Sequence, residues 1–187
     1  MSKKNDIMHT AEKLFYEEGF HRTGVARIAS KAGTTQRTLY KHFPSKEDLV
    51  LCIMGERESR YFQDFARLAR LNTSHFHALI PFYSLLNWLE KEASHGCFYM
   101  HALAEYKGKH SRIENFVLEH KQRMRVDLTQ RLQHDGISDD DLVSILIILL
   151  EGVTAISAIG SPRDNCLQVI KQAEWIIKQS AKIKHNQ

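Results

Sequence analysis

Cysteine is scarce. Cys52, Cys97 and Cys166 are the only three in 187 residues, far apart and without a C-x-x-C pair. An odd, scattered set excludes a disulfide framework and a structural zinc site as organising devices, and suits a reducing compartment. Enzyme signatures are missing as well. The chain holds no phosphate-cradling glycine loop, no G-x-S-x-G, no H-E-x-x-H and no paired catalytic residues, so neither a catalytic site nor a cofactor is expected. No basic n-region followed by an apolar stretch opens the sequence, so the expectation is a cytoplasmic protein without a secretory signal. No alternating pattern of strand length, no internal repeat and no low-complexity tract occurs, which leaves an all-α chain. The one long apolar run, Leu142 to Ile159, contains Glu151, Ser144, Thr154 and Ser157. An acidic residue in mid-bilayer costs roughly 2.5 to 3.5 kcal/mol, so a membrane span is not expected.

One further absence is local. Between Phe20 and Lys46 there is no Asp or Glu, but six basic residues: Arg22, Arg27, Lys31, Arg37, Lys41 and Lys46. This segment carries +6 while the whole chain carries +4, so the remainder is net acidic. A basic patch confined to one small unit is the footprint of phosphate contacts, because each neutralised phosphate releases condensed counterions. The bland alternative is a solvated charged face.

The helical pattern within the same stretch favours the first reading. Val25, Ile28, Ala29 and Ala32 recur at the spacing of one helical face, with Arg27 and Lys31 outside it. Thr23 is a hydroxyl cap candidate at the start of this helix, and Gly33 can take the left-handed conformation that closes it. Thr35 can then cap a second helix, Gln36 to His42, whose Leu39 and Phe43 point back to the first. Gln36, Arg37, Thr38, Tyr40 and Lys41 are left outside. Two helices joined by a short glycine turn, the second polar and basic, form a helix-turn-helix, whose second helix enters the major groove of double-stranded DNA. Gln36 and Arg37 are placed to meet base edges, with Thr35 and Thr38 assisting. Thr23, Tyr40, Lys41, His42 and Lys46 are expected on phosphates, and Arg27 belongs to the same basic surface.

The run AGTTQRTLYKHFPSKEDL, Ala32 to Leu49, resembles the signature of the TetR family of bacterial repressors, with its small-residue pair, Thr-Leu-Tyr, aromatic "HF" and Ser-Lys-Glu-Asp-Leu. The resemblance covers roughly the first 50 residues; beyond them only the length and the all-helical pattern fit. It implies a homodimeric transcription factor, usually a repressor, released from a near-palindromic operator by a small-molecule inducer. It also implies phosphate contacts from Tyr40 and from Lys46. The family often has a small residue where this chain has Arg37.

The rest of the chain reads as helices. The first runs from Asp6 to Glu18, with Lys3 and Lys4 as a short arm, and is stopped by Gly19. Ser45 with Asp48 forms a capping-box-like start for a long helix, 45–70, that links a DNA-binding domain at 1–48 to a larger ligand-binding and dimerisation domain at 49–187. After a polar break at Asn72 to Ser74 come helices at Phe76–Ala93 (carrying Pro81, and closed by Ser94-His95-Gly96), Cys97–Lys107 and Ser111–Asp135. Ser138 and three aspartates open Leu142–Ile159, apolar nearly all round, and Ser161-Pro162 starts a last helix at 162–180. A helix apolar on every side in so small a chain calls for a second copy. Ile145, Ile148, Val153, Ile156, Val169, Ala173 and Ile176 are therefore the expected dimer interface, as two helices of an intermolecular bundle.

The brief helix after Gly96, GCFYMHALAEYKG, mixes aromatics with polar groups, which suits one wall of an inducer pocket. Phe82, Leu86, Cys97, Phe98, His101 and Phe116 are the expected lining, and the short helix is expected to move when the pocket fills. Two alternatives stay open: Cys97 as a thiol or electrophile sensor, or a DNA-binding protein that needs no ligand. His75-x-His77, or His95, Cys97 and His101 together, invite a metal reading, but His75 and His77 do not face one another on a helix, and Cys97 with His101, which could share a face, has no third ligand evident from spacing, so no metal is expected.

Overall fold

The computed structural model describes residues 2–71, 76–91 and 95–185. The polar break at Asn72 to Ser74, His75 and Ser94 lie outside the described residues. Among those described, the chain is all-α, in agreement with the sequence. It forms nine α-helices: α1 (Lys3–Glu18), α2 (Val25–Lys31), α3 (Gln36–His42), α4 (Lys46–Leu71), α5 (Ile80–Lys91), α6 (Phe98–Tyr106), α7 (Ser111–His134), α8 (Asp140–Ile156) and α9 (Pro162–His185). A single 3-10 turn at His77–Leu79 leads into α5.

By packing, the chain divides into two compact units. The first takes residues 1–59 and 98–119, the second 60–97 and 120–187. The division between residues 59 and 60 falls within α4, and α6 packs within the first unit.

In the first unit, α1 starts earlier than its sequence suggests. Ser2, not Asp6, is the cap, its hydroxyl accepting the Asn5 N–H, so Lys3 and Lys4 are helical rather than a loose arm. The α2–α3 turn closes as a paired glycine motif. The Gly33 N–H (φ 59°) bonds to the Ser30 carbonyl and the Thr34 N–H to the Ala29 carbonyl, satisfying the last carbonyls of α2. Thr35 caps α3 by accepting the Thr38 N–H. Ser45 caps α4, accepting the Asp48 N–H at 3.0 Å while donating to the Asp48 carboxylate at 2.6 Å. Phe20 is fully buried at the centre, its ring 5.1 Å from Phe15, 5.0 Å from Phe98 and 5.8 Å from Tyr106. Residues from α1, the first turn and α6 therefore share one core. Arg57 of α4 ties the same helices together, pairing with Glu12 and lying over the rings of Tyr16 and Phe98.

The second unit packs α5, α8, α9 and the second half of α7 around Phe82, Leu128, Leu146, Leu150 and Ile177. Pro81 sits in the first turn of α5, where it breaks no hydrogen bond. The Asp135 carboxylate accepts the N–H groups of His77 and Ala78 at 2.8 and 2.9 Å and so caps the 3-10 turn. Asp139 caps α8, its side chain accepting the Leu142 N–H. Cys166 is a fully buried core thiol that donates to the Phe82 carbonyl. No helix among the described residues is long and apolar enough to cross a membrane.

Candidate nucleic-acid interface

The α3 helix buries Leu39, with Phe43 buried just beyond it, and exposes Gln36, Arg37, Tyr40, Lys41 and His42 on the other side. Tyr40 and Lys41 follow Arg37 by three and four residues and share a surface with it, with Gln36 one turn before Tyr40. Arg22 and Lys31 are also exposed. Near the helix start, the hydroxyls of Thr35 and Thr38 are bonded to each other at 3.0 Å. This is a short polar, basic ridge seated on an apolar base, with the donors and aromatic hydroxyl that phosphate and base edges require.

Three residues expected on DNA are engaged inside the protein. Thr23 is fully buried, and its hydroxyl donates to the Gly19 carbonyl at 2.7 Å; α2 is capped by Gly24, without a side-chain bond. Lys46 is half-buried and its Nζ donates to the Phe20 carbonyl at 3.1 Å. Arg27 pairs with Glu18 at 2.5 Å. Apolar periodicity shows which face a residue leaves, but not whether the neighbouring turn offers it a carbonyl.

Two contributions could not be read from local sequence. Lys3 Nζ reaches the Gly33 carbonyl at 3.4 Å, bringing α1 to the turn of the motif. From α6, the Glu105 carboxylate accepts the N–H of Phe20 at 2.8 Å and of His21 at 2.6 Å, and lies 2.6 Å from His21 Nδ1. Partial burial works to raise the Glu105 carboxyl, but the His21 and Phe20 amides and the His21 ring outweigh it and hold the group below its ordinary value. Asp48 is also held low, by the Ser45 hydroxyl and the Arg112 guanidinium 2.9 Å away.

The expected pocket residues fall three to each unit. In the second, Phe82 is fully buried while Leu86 and Cys97 are half-buried. In the first, Phe98 is buried, and His101 and Phe116 are half-buried, Phe116 stacked parallel to Tyr99. The expected dimer residues also divide. Val153 and Ala173 are buried in the chain's own core, whereas Val169 and Ile176 are half-buried and Ile145, Ile148 and Ile156 exposed, Ile148 at 68%. Among the described residues, no three His, Cys, Asp or Glu side chains are placed to hold a metal ion.

Residues 7–53 match the family described as "Bacterial regulatory proteins, tetR family". The chain is 30% identical over 61 residues to the fatty acid metabolism regulator protein of Bacillus subtilis, covering 33% of this chain and 31% of that one. It is 33% identical over 52 residues to the transcriptional activator FasR of Mycolicibacterium smegmatis, covering 28% and 24%. It thus spans about a third or less of these relatives. The whole fold is similar to a TetR-family transcriptional regulator from Streptomyces coelicolor, with a TM-score of 0.87 and 23% identity over 95% of both chains. Residues 7–53, which hold the helix-turn-helix of residues 25–42, thus match the tetR family of bacterial regulatory proteins, and the chain as a whole has the fold of a TetR-family regulator.

Proposed function

We propose that this protein is a transcriptional regulator that binds a near-palindromic operator as a homodimer, acting as a repressor that a small molecule releases. The observation that carries the reading is the exposed Gln36, Arg37, Tyr40 and Lys41 ridge on an α3 whose opposite side is locked into the core by Leu39 and Phe43. Gln36 and Arg37 read base edges, with Thr35 and Thr38 at the helix start beside them. Tyr40, Lys41 and His42 hold phosphates. Dimerisation is supported by α8, which buries Leu142, Leu146 and Leu150 in its own chain but leaves Ile145, Ile148 and Ile156 on the surface, with Trp175 of α9 58% exposed. An apolar surface of this kind marks an association site. The inducer role rests on Phe82, Leu86 and Cys97 of the second unit as apolar and polar groups suited to a small organic ligand. One relative is named an activator, so the sign of regulation is tested directly. An operator found by selection from random duplexes, placed before a reporter gene, gives lower expression with the protein present and recovery with inducer; raised expression overturns the repressor role.

A second reading is favoured by one contact. Lys121 Nζ lies 3.6 Å from the Cys97 sulfur and 2.6 Å from Glu151. A cation beside a partly exposed thiol is the setting in which thiols meet electrophiles. Release of operator by an alkylating electrophile, abolished in Cys97→Ser, supports thiol sensing; release that survives the substitution removes it.

A further inference from the structure

The tripeptide Gly19-Phe20-His21 joins α1 to the turn that leads into α2, and it is gripped from three sides. The Thr23 hydroxyl holds the Gly19 carbonyl and Lys46 holds the Phe20 carbonyl. Both of these residues belong to the first 48. The third grip comes from 84 and 85 residues away, where the two oxygens of Glu105 take the Phe20 and His21 amides, one each, and the second also meets the His21 ring. Gly19 is fitted to this arrangement. Its φ of 90° suits glycine, and an added Cβ would stand 3.0 Å from Glu105 Oε1. The His21 ring lies 4.9 Å from that of Tyr106, the residue after Glu105, at a tilt of 37°, so the end of α6 meets this turn through an aromatic contact as well.

The geometry points to Glu105 as a positioning residue for operator binding. By holding both amides on one carboxylate it fixes the turn after α1, and with it the direction in which α2 and α3 present Gln36, Arg37 and Tyr40. Charge-assisted bonds to backbone N–H groups are strong and directional, and two of them on one side chain define an orientation rather than a point. The consequence is that DNA affinity depends on this carboxylate. The inference rests on the DNA-binding function proposed above. It adds a group outside the helix-turn-helix that touches no DNA.

The test compares full-length wild type, Glu105→Gln and His21→Ala on the duplex selected by the wild type. The active fraction is titrated at high protein concentration, and Kd is then measured over a series of salt concentrations. Glu105→Gln keeps one acceptor but turns an amide donor toward a backbone donor. It is expected to weaken Kd per active molecule at least tenfold, with the salt slope and the preferred sequence unchanged and with faster hydrogen exchange at the Phe20 and His21 amides. His21→Ala keeps both amide bonds and is expected to weaken binding only a few-fold, which holds the inference open to test should Glu105→Gln fail to fold. A purely structural role would lower the active fraction but leave Kd alone, and that result overturns the inference, as does a fall in salt slope, which would place Glu105 among the electrostatic determinants. Loss of affinity in His21→Ala as large as in Glu105→Gln also overturns it, because the ring and not the backbone grip would then matter. Failure of the wild type to select any duplex removes the DNA-binding reading itself, and this inference with it.

Discussion

The Thr23 hydroxyl, fully buried, donates a 2.7 Å hydrogen bond to the carbonyl of Gly19, the residue that closes α1 at a φ of 90°. Thr23 therefore supports the fold of the unit that carries α2 and α3. Thr23→Val preserves the shape but leaves a half-buried carbonyl without its donor, an omission that costs about 1 kcal/mol. A lowered urea midpoint is expected by circular dichroism, largely restored in Thr23→Ser. An unchanged midpoint in Thr23→Val would show that the bond contributes nothing.

Lys46 and Lys41 are expected to separate in their salt dependence. Lys41 is exposed on α3, whereas Lys46 is bonded to the Phe20 carbonyl. Lys41→Ala should weaken all duplexes alike and lower the slope of log K against log salt by about 0.9, the value for one phosphate. Lys46→Ala should weaken binding with little change in slope. A full unit of slope lost in Lys46→Ala would mean that this side chain leaves the carbonyl for a phosphate in the complex.

Much of the reading unit was legible in the sequence because its signals are local. Gly33, Thr35 and the Ser45–Asp48 pair each act within a few residues of themselves, and the α3 limits fell where Thr35 and the packing of Leu39 put them. A hydroxyl and an ammonium near a basic helix, such as those of Thr23 and Lys46, look the same in sequence whether they face a phosphate or a carbonyl. Glu105 was unreadable for a different reason. Its partners lie 84 and 85 residues away, and nothing in GCFYMHALAEYKG distinguishes a carboxylate that holds a distant turn from one that faces solvent. In α8, hydropathy could not separate Val153, which packs inward, from Ile148, which lies on the surface, since both are aliphatic.

Acid should weaken the first unit. Glu105 and Asp48 both titrate below their ordinary values in the folded protein. The unfolded chain then binds more protons through this range, so the stabilisation is present above the usual carboxylate pKa of roughly 4 and is lost as pH falls through it toward the depressed folded values. The urea midpoint should be flat from about pH 7 to 5 and should fall below that, less steeply in Asp48→Asn and Glu105→Gln than in the wild type. A midpoint that rises on acidification would contradict the sign of both shifts.

The α8 surface offers a contrast between neighbours two residues apart. Leu146 is fully buried and Ile148 is 68% exposed. An unpaired charge in a packed interior costs several kcal/mol, so Leu146→Asp should unfold the second unit. Ile148→Asp should instead give a folded monomer by sedimentation, where the wild type is expected to be a dimer at micromolar concentration. A folded dimer in Ile148→Asp would move the interface elsewhere.

The most direct measurement is selection of binding sites from random duplex DNA by the wild type and by Arg37→Ala, at a fixed salt concentration. The wild type is expected to enrich a sequence with two half-sites related by a two-fold axis, and Arg37→Ala to relax the preference within each half-site by the ~1 to 3 kcal/mol of one bidentate base contact while still binding DNA. No enrichment by the wild type, or the same preference in both proteins, would contradict the assignment of α3 as the helix that reads the operator.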